Sequence, residues 1–227
     1  MKKIAAAGIR ARDMKNVQPR VFVVDDDQSV RTSLANLLAT ENYEVEIFAS
    51  AGEYLARAPH SGPSCLVLDV QLPGLDGLAL QRQLTDEGRM ERIVFITGHG
   101  DLPMGIRAMK RGAVDFLPKP FNDDELLDSV AQALARSGEE WVQRGDIVES
   151  RSRLAKLTPR EFEVFRLVIA GLLNKQIGAE LGVSLRTIKT HRSRVMQKMG
   201  VLSVAELVRL AQKAGVAPAG WPDPKGP

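Results

Sequence analysis

An α/β domain built on a parallel sheet, followed by a smaller all-helical domain, is what this 227-residue sequence predicts. Three observations predict it. Between Arg20 and Ser137, five short apolar runs alternate with segments of helical periodicity. Regular alternation of that kind implies parallel strands with helices on both faces. From Leu157 onward the pattern is wholly helical, in four segments with their own start and stop signals. The charge divides at the same place. Residues 20–137 carry 11 basic and 18 acidic side chains, and residues 157–227 carry 11 and 5, within a net charge of +3. An acidic half followed by a basic half suggests a control domain joined to a nucleic-acid-binding domain. A solvated imbalance with no partner is the plainer alternative.

Composition is that of a globular chain, with 44% hydrophobic and 26% charged residues. Cys65 is the single cysteine, so no internal disulfide forms and a reducing, cytoplasmic compartment is expected. After Lys2 and Lys3, the apolar stretch Ile4 to Ile9 is shorter than the roughly 7–15 residues of a signal sequence. No run approaches the ~20 apolar residues of a membrane span, so no membrane partner is expected. Residues 1–19 read as a basic, disordered tail.

The first strand is Arg20 to Val24, ending in Asp25–Asp26–Asp27, with Asp27 as cap of a helix carrying Val30, Leu34, Leu37 and Leu38 on one face. Glu44 to Phe48 alternates as a second strand, and Ser50 caps a short helix through Leu55. Cys65 to Leu68 reads as a strand buried on both faces, closed by Asp69 and then by Pro73, Gly74 and Gly77. Asp76 caps the helix Leu78 to Leu84. Ile93 to Ile96 is the fourth strand, ending in Thr97. Asp101 and Pro103 start the next helix. Val114 to Leu117 is the fifth strand, running into Pro118–Lys119–Pro120, and Asn122 caps a last helix through Leu134. Residues 138–156, with Gly138, Gly145 and dense mixed charge, read as a linker. Trp141 within it is a candidate anchor or simply a loosely covered aromatic.

Asp25, Asp26 and Asp69 all lie at the C-terminal ends of strands, where open α/β sheets place their sites. Unpaired carboxylates about 4 Å apart repel by roughly 4 kcal/mol per pair at an effective dielectric near 20. Such a cluster needs a cation, and an all-oxygen donor set favours Mg²⁺. Two further strand ends add a hydroxyl, Thr97, and an ammonium, Lys119. Together they make a site for a phosphoryl group, with Asp69 as the carboxylate nucleophile. Taken singly, Asp69 could merely end its strand, Thr97 be an ordinary strand-end residue, and Lys119 a solvated loop charge. His99 lies in the loop after Thr97 and reads mainly as a loop residue.

The set Asp25–Asp26–Asp27, Asp69 with Pro73–Gly74 and Asp76–Gly77, Thr97–Gly98 and Lys119–Pro120–Phe121 resembles a response-regulator receiver domain over residues 20–137. That resemblance implies a flavodoxin-like (βα)5 doubly wound parallel sheet, with Asp69 as phosphoacceptor. It also implies Mg²⁺ held by Asp25, Asp26, Asp69 and the backbone carbonyl of Gln71. Thr97 and Lys119 would contact the phosphoryl group. Phe116 would be the switch aromatic, turning inward as Thr97 moves, and the Lys119–Pro120 bond would be cis.

In the helical domain, Thr158–Pro159–Arg160–Glu161 is a capping box with Pro in the first turn, ahead of Phe162, Phe165 and Ile169. Asn174 to Leu181 is a short helix stopped by Gly182. Ser184 caps a helix to Met199, and Ser203 opens a fourth. On the Ser184–Met199 helix, Val195 and Met199 fall within about 20° of Ile188 and form the buried stripe. Arg186, Lys189, Thr190, Ser193 and Arg194 lie off that stripe, and no Asp or Glu occurs between Glu180 and Glu206. A basic, hydroxylated face without acids suits the DNA major groove, and the pair of helices joined by Gly182–Val183–Ser184 is a helix-turn-helix. A solvated amphipathic helix is the competing reading. The segment resembles the LuxR-type DNA-binding domain over residues 157–215, through Leu157–Thr158–Pro159–Arg160–Glu161, Asn174–Lys175–Gln176–Ile177, Thr187–Ile188–Lys189–Thr190–His191 and Met199–Gly200. His191 reads as structural.

With the receiver, the chain resembles a NarL/FixJ-type response regulator, nearest its FixJ-like branch, with residues 216–227 as a flexible tail. The resemblance implies a sensor histidine kinase as phosphoryl donor, double-stranded promoter DNA as target and RNA polymerase as a further candidate partner. It further implies a homodimer on phosphorylation, formed through residues 101–137, and no enzyme activity toward other substrates. Two rivals stay open. A Mg²⁺-dependent phosphohydrolase of the haloacid-dehalogenase type would want Asp-x-Asp at the nucleophile, but Asp69 is followed by Val70–Gln71. A DNA-binding regulator with an inert receiver sits poorly with the full acid set.

Overall fold

The structure, a computed structural model, describes residues 17–89, 91–98 and 102–220. The proposed tail through Asn16, His99, the proposed cap Asp101 and the last seven residues lie outside them. The chain divides into two compact units, with the boundary between Val142 and Gln143.

In the first unit the strands are β1 (Arg20–Val24), β2 (Glu44–Phe48), β3 (Ser64–Asp69), β4 (Arg92–Thr97) and β5 (Asp115–Pro118). They form one parallel sheet in the order β2-β1-β3-β4-β5. The helices between them are α1 (Gln28–Thr40), α2 (Ala51–Ala56), α3 (Gly77–Asp86) and α4 (Leu102–Lys110). Period-two alternation splits the strand residues between two cores. Val21, Val23, Cys65, Val67, Val94 and Ile96 face Leu34 and Leu38 of α1. Phe22, Val24, Leu66, Leu68 and Phe95 face Ala51, Tyr54, Leu80 and Leu84 of α2 and α3. All six residues of β3 are buried, as expected of a central strand covered on both sides.

Three of the caps read from the sequence form in this unit. Asp27 accepts from the N–H groups of Ser29 and Val30, Ser50 from Glu53, and Asp76 from Ala79. The Lys119–Pro120 bond is cis.

The final helix of the first unit differs from expectation. α5 runs from Asp123 to Leu154 for 32 residues, through most of the stretch read as a linker. Gly138 and Gly145 each cost about 1 kcal/mol relative to Ala in a helix, which lowers propensity without ending the helix. Packing compensates. Leu126, Val130, Ala133 and Leu134 join the first core, and the hydroxyl of buried Ser137 accepts from the Ser64 N–H at 2.9 Å. Further along, Glu149 and Arg153 pair one turn apart.

The second unit contains the C-terminal part of α5 with α6 (Pro159–Ile169), α7 (Asn174–Leu181), α8 (Leu185–Met199) and α9 (Val204–Ala214). Its core is Val164, Phe165, Val168, Ile177, Ile188, Val195, Met199, Leu207 and Ala211. The capping box at Thr158 and Glu161 forms as read. The first residues of the expected C-terminal tail are tied down: Arg166 donates to the carbonyls of Ala217 and Pro218, and the Ala219 N–H to the carbonyl of Arg166.

Candidate functional site: an acid pocket and a basic helix

The acid pocket follows from strand order and register. β1 lies between β2 and β3, so the chain connections leave in opposite directions between β1 and β3. Val24 is level with Leu68, which places Asp25 and Asp69 side by side one step further on. Carboxylate oxygens of Asp25, Asp26 and Asp69 lie within 4.8 Å of one another, the one such acid, His or Cys cluster among the described residues. Asp25 and Asp69 are buried, and Asp26 is exposed.

Each buried carboxylate uses both its oxygens. Asp25 accepts from the Asp27 N–H at 2.9 Å and from Lys119 Nζ at 2.7 Å. Asp69 accepts from the Gln71 N–H at 3.0 Å and from Lys119 Nζ at 2.9 Å. Burial pushes the Asp25 carboxyl up, against the pull of Lys119. Burial also disfavours the Lys119 ammonium, but its bonds to Asp25 and Asp69 outweigh that and hold its pKa above the ordinary value. Lys119 is delivered by the turn after β5, where its N–H donates to the carbonyl of Thr97 at 2.7 Å. Thr97 is fully buried at the end of β4. An open depression beside the acids is lined by Asp26, Gln71, Leu72, Asp76 and Met104.

Phe116, one strand further, is half-buried, with its ring 6.3 Å from that of Phe95. Gly105 of α4 lies against that ring, and a Cβ there would come within 3.3 Å of it. Arg31, not singled out by the sequence, donates from α1 to the carbonyl of Asp25 at 2.7 Å. Its signal is a basic residue one helical turn past the Asp27 cap.

In the second unit, Gly182 takes a left-handed conformation (φ 64°) between α7 and α8. Gly178 lets the turn approach: a Cβ there would sit 3.0 Å from the Val183 carbonyl. Ser184 caps α8 by accepting from the Thr187 N–H. Ile188, Val195 and Met199 are fully buried, while Arg186, Lys189, Thr190, Ser193 and Arg194 are all exposed. Arg192 instead bonds Asn174 of α7 at 2.9 Å. His191 is half-buried, with Nδ1 enclosed and without a hydrogen-bond partner.

The response regulator receiver domain family matches residues 21–131, and the family of bacterial regulatory proteins, luxR family, matches residues 155–211. Nodulation protein W of Bradyrhizobium diazoefficiens is 48% identical over 197 residues, covering 87% of this chain and 87% of that protein. The transcriptional regulatory protein FixJ of Azorhizobium caulinodans is 43% identical over 199 residues, covering 88% and 94%. The chain belongs to the NarL/FixJ-type response regulators. Like other response regulators of this type it joins a receiver to a LuxR-type DNA-binding domain, and it is a phosphorylation-dependent regulator of transcription. The solved structure of the response regulator StyR matches 87% of the chain and all of that chain at 48% identity, with a TM-score of 0.80. Full-length FixJ from B. japonicum matches 86% and 97% at 40% identity, with a TM-score of 0.51. Among the described residues no helix is long and apolar enough to cross a membrane.

Proposed function

We propose that Asp69 is the phosphoacceptor of this response regulator and that a sensor histidine kinase is its donor. The observation that carries the proposal is the shared ammonium: Lys119 Nζ reaches both Asp25 and Asp69, so a cation already faces the nucleophile. An Asp69 carboxylate oxygen attacks phosphorus, the bond from phosphorus to the donor imidazole nitrogen breaks, and the leaving electron pair stays on the imidazole. The product is an acyl phosphate on Asp69. Lys119 neutralises charge on the incoming group, and the Thr97 hydroxyl would follow it. Asp25, Asp26, Asp69 and the Gln71 carbonyl would hold Mg²⁺, a hard-cation set of oxygens consistent with the acid cluster. Bound there, Mg²⁺ supplies charge neutralisation to the phosphoryl group.

Phosphorylation adds up to about two negative charges beside Thr97. This biases a two-state receiver through Thr97 and Phe116 and favours a homodimer through residues 101–137. On this reading α8 reads promoter DNA with Arg186, Lys189, Thr190, Ser193 and Arg194. The chain acts in the cytoplasm as a regulator and not as an enzyme on other substrates, with RNA polymerase as a candidate further partner. Residues 20–137 and 157–215 would be the two functional domains.

Incubation with Mg²⁺ and a small acyl phosphate is expected to add one phosphoryl group by intact mass, and Asp69→Asn to abolish it. Undiminished labelling of that variant moves the acceptor elsewhere.

A further inference from the structure

The domain that carries a groove-reading helix sets the register of its side chains with the bases through the contacts that hold the helix. The N-terminal end of α8 is held by the Ser184 cap, and its middle by the bond from Arg192 to Asn174 of α7. Its C-terminal end presents carbonyls that have no partner within the helix. Two of them are closed locally: the Gly200 N–H donates to Gln197 and the Val201 N–H to Met196, each at 3.1 Å. The Met199 carbonyl is closed from elsewhere, by Arg153 Nη1 at 2.7 Å.

Arg153 belongs to α5 and lies outside the stretch matched by the luxR family, residues 155–211. Its other terminal nitrogen bonds Glu149, so the planar fork is fixed from both sides. Gly200 makes room for it: φ is 64°, and a Cβ there would lie 3.2 Å from Arg153 Nη1. The same stretch of α5 holds α9. Asp146 pairs with Lys213 at 2.5 Å, and Arg151 Nε reaches the carbonyl of Ala214 at 3.4 Å. A cation at a helix C-terminus is favoured by the helix dipole, so this arrangement is self-consistent electrostatically.

We infer that Arg153 is a positioning residue for DNA reading: it clamps the C-terminal end of α8 through the Met199 carbonyl and sets the helix against its bases without touching DNA. The inference rests on α8 being the reading helix. It adds a specificity-determining residue that lies outside both the basic face and the matched family stretch.

The test uses the full chain and two probes. One is a duplex enriched from a random-sequence pool by the wild-type chain, and the other a scrambled duplex of equal length. Arg153→Met keeps the apolar stem and removes the donor. It is expected to bind the enriched duplex about tenfold more weakly and the scrambled duplex within about twofold of wild type, contracting the specificity ratio. The slope of log affinity against log salt is expected to stay at the wild-type value, since no phosphate contact is lost. An unchanged ratio overturns the inference. So does an equal fall for both duplexes with a flatter slope, which makes Arg153 a phosphate contact. Where circular dichroism shows Arg153→Met unfolded, Arg153→Lys decides. Lysine is shorter and lacks the planar fork whose two terminal nitrogens reach Met199 and Glu149 separately, so the ratio contracts, and a wild-type ratio overturns the inference. Lys189→Ala is the separate control on α8: it is expected to weaken both duplexes and flatten the slope by about one. If Lys189→Ala binds as wild type does, the reading of α8 falls and this inference with it. A weakened Lys189→Ala beside a wild-type ratio in the Arg153 variant overturns this inference alone.

Discussion

Lys119 is the residue on which the acid pocket's charge balance turns. It is the ammonium bonded to both buried carboxylates, Asp25 and Asp69. Removing one partner of a buried ion pair leaves an uncompensated charge, at a typical cost of about 3–5 kcal/mol. Lys119→Ala is therefore expected to lower the stability of the metal-free receiver by roughly 3 kcal/mol. Excess Mg²⁺ is expected to recover much of that loss. Denaturant midpoints with chelator and with Mg²⁺ check it, and a variant as stable as wild type in chelator contradicts it. Glu161 plays a matching part in the second unit. Its carboxylate accepts from Lys198 Nζ at 2.6 Å and from the Thr158 N–H at 2.9 Å, which lower its pKa from 4.5 to about 2. A folded-state pKa below the unfolded one stabilises the fold above the unfolded value, and that contribution is lost as pH falls toward the folded one. Glu161→Gln is thus expected to be less stable than wild type at pH 7, with the gap closing from about pH 5 toward pH 2. Equal gaps at pH 7 and pH 3 contradict the assignment.

At the level of the element, four strands were legible because their apolar runs stop at Asp25, Asp69, Thr97 and Pro118, and the second, Glu44 to Phe48, because it alternates. β1 and β2 coincide with the expected strands, β3 and β4 extend theirs by a residue at each end, and β5 shifts by one to Asp115–Pro118, since backbone pairing continues past the last apolar side chain. The caps Asp27, Ser50, Asp76, Thr158, Ser184 and Ser203 were legible for the same local reason. The length of α5 was not. Two glycines and mixed charge read as a linker whose helicity the sequence leaves open, whereas contacts distant in sequence sustain the helix. Gly138 shows how little the helix asks for a glycine: a Cβ there would meet nothing within 4 Å. Gly138→Ala is expected to raise stability by about 0.5–1 kcal/mol, read as a higher denaturant midpoint. A lower midpoint would mean that the glycine has a role in the folded chain. The clamp at Arg153 was illegible for a further reason. A long side chain reaching a backbone carbonyl 46 residues away leaves no periodicity in the sequence.

For the whole molecule, the division of charge anticipated the division of labour. The acidic half folds as the receiver, and in the basic half Arg186, Lys189 and Arg194 are exposed on α8. α5 contributes to both cores, through Leu126 to Leu134 in one and Leu154 in the other. In this mechanism the state of Asp69 governs what α8 does. That control is tested most directly by the affinity of the full chain for a duplex enriched from a random pool, measured with Mg²⁺ before and after treatment with a small acyl phosphate. Tighter binding after treatment is expected for wild type, and no change for Asp69→Asn. Equal affinity of treated and untreated wild type, or an equal response in Asp69→Asn, would contradict it.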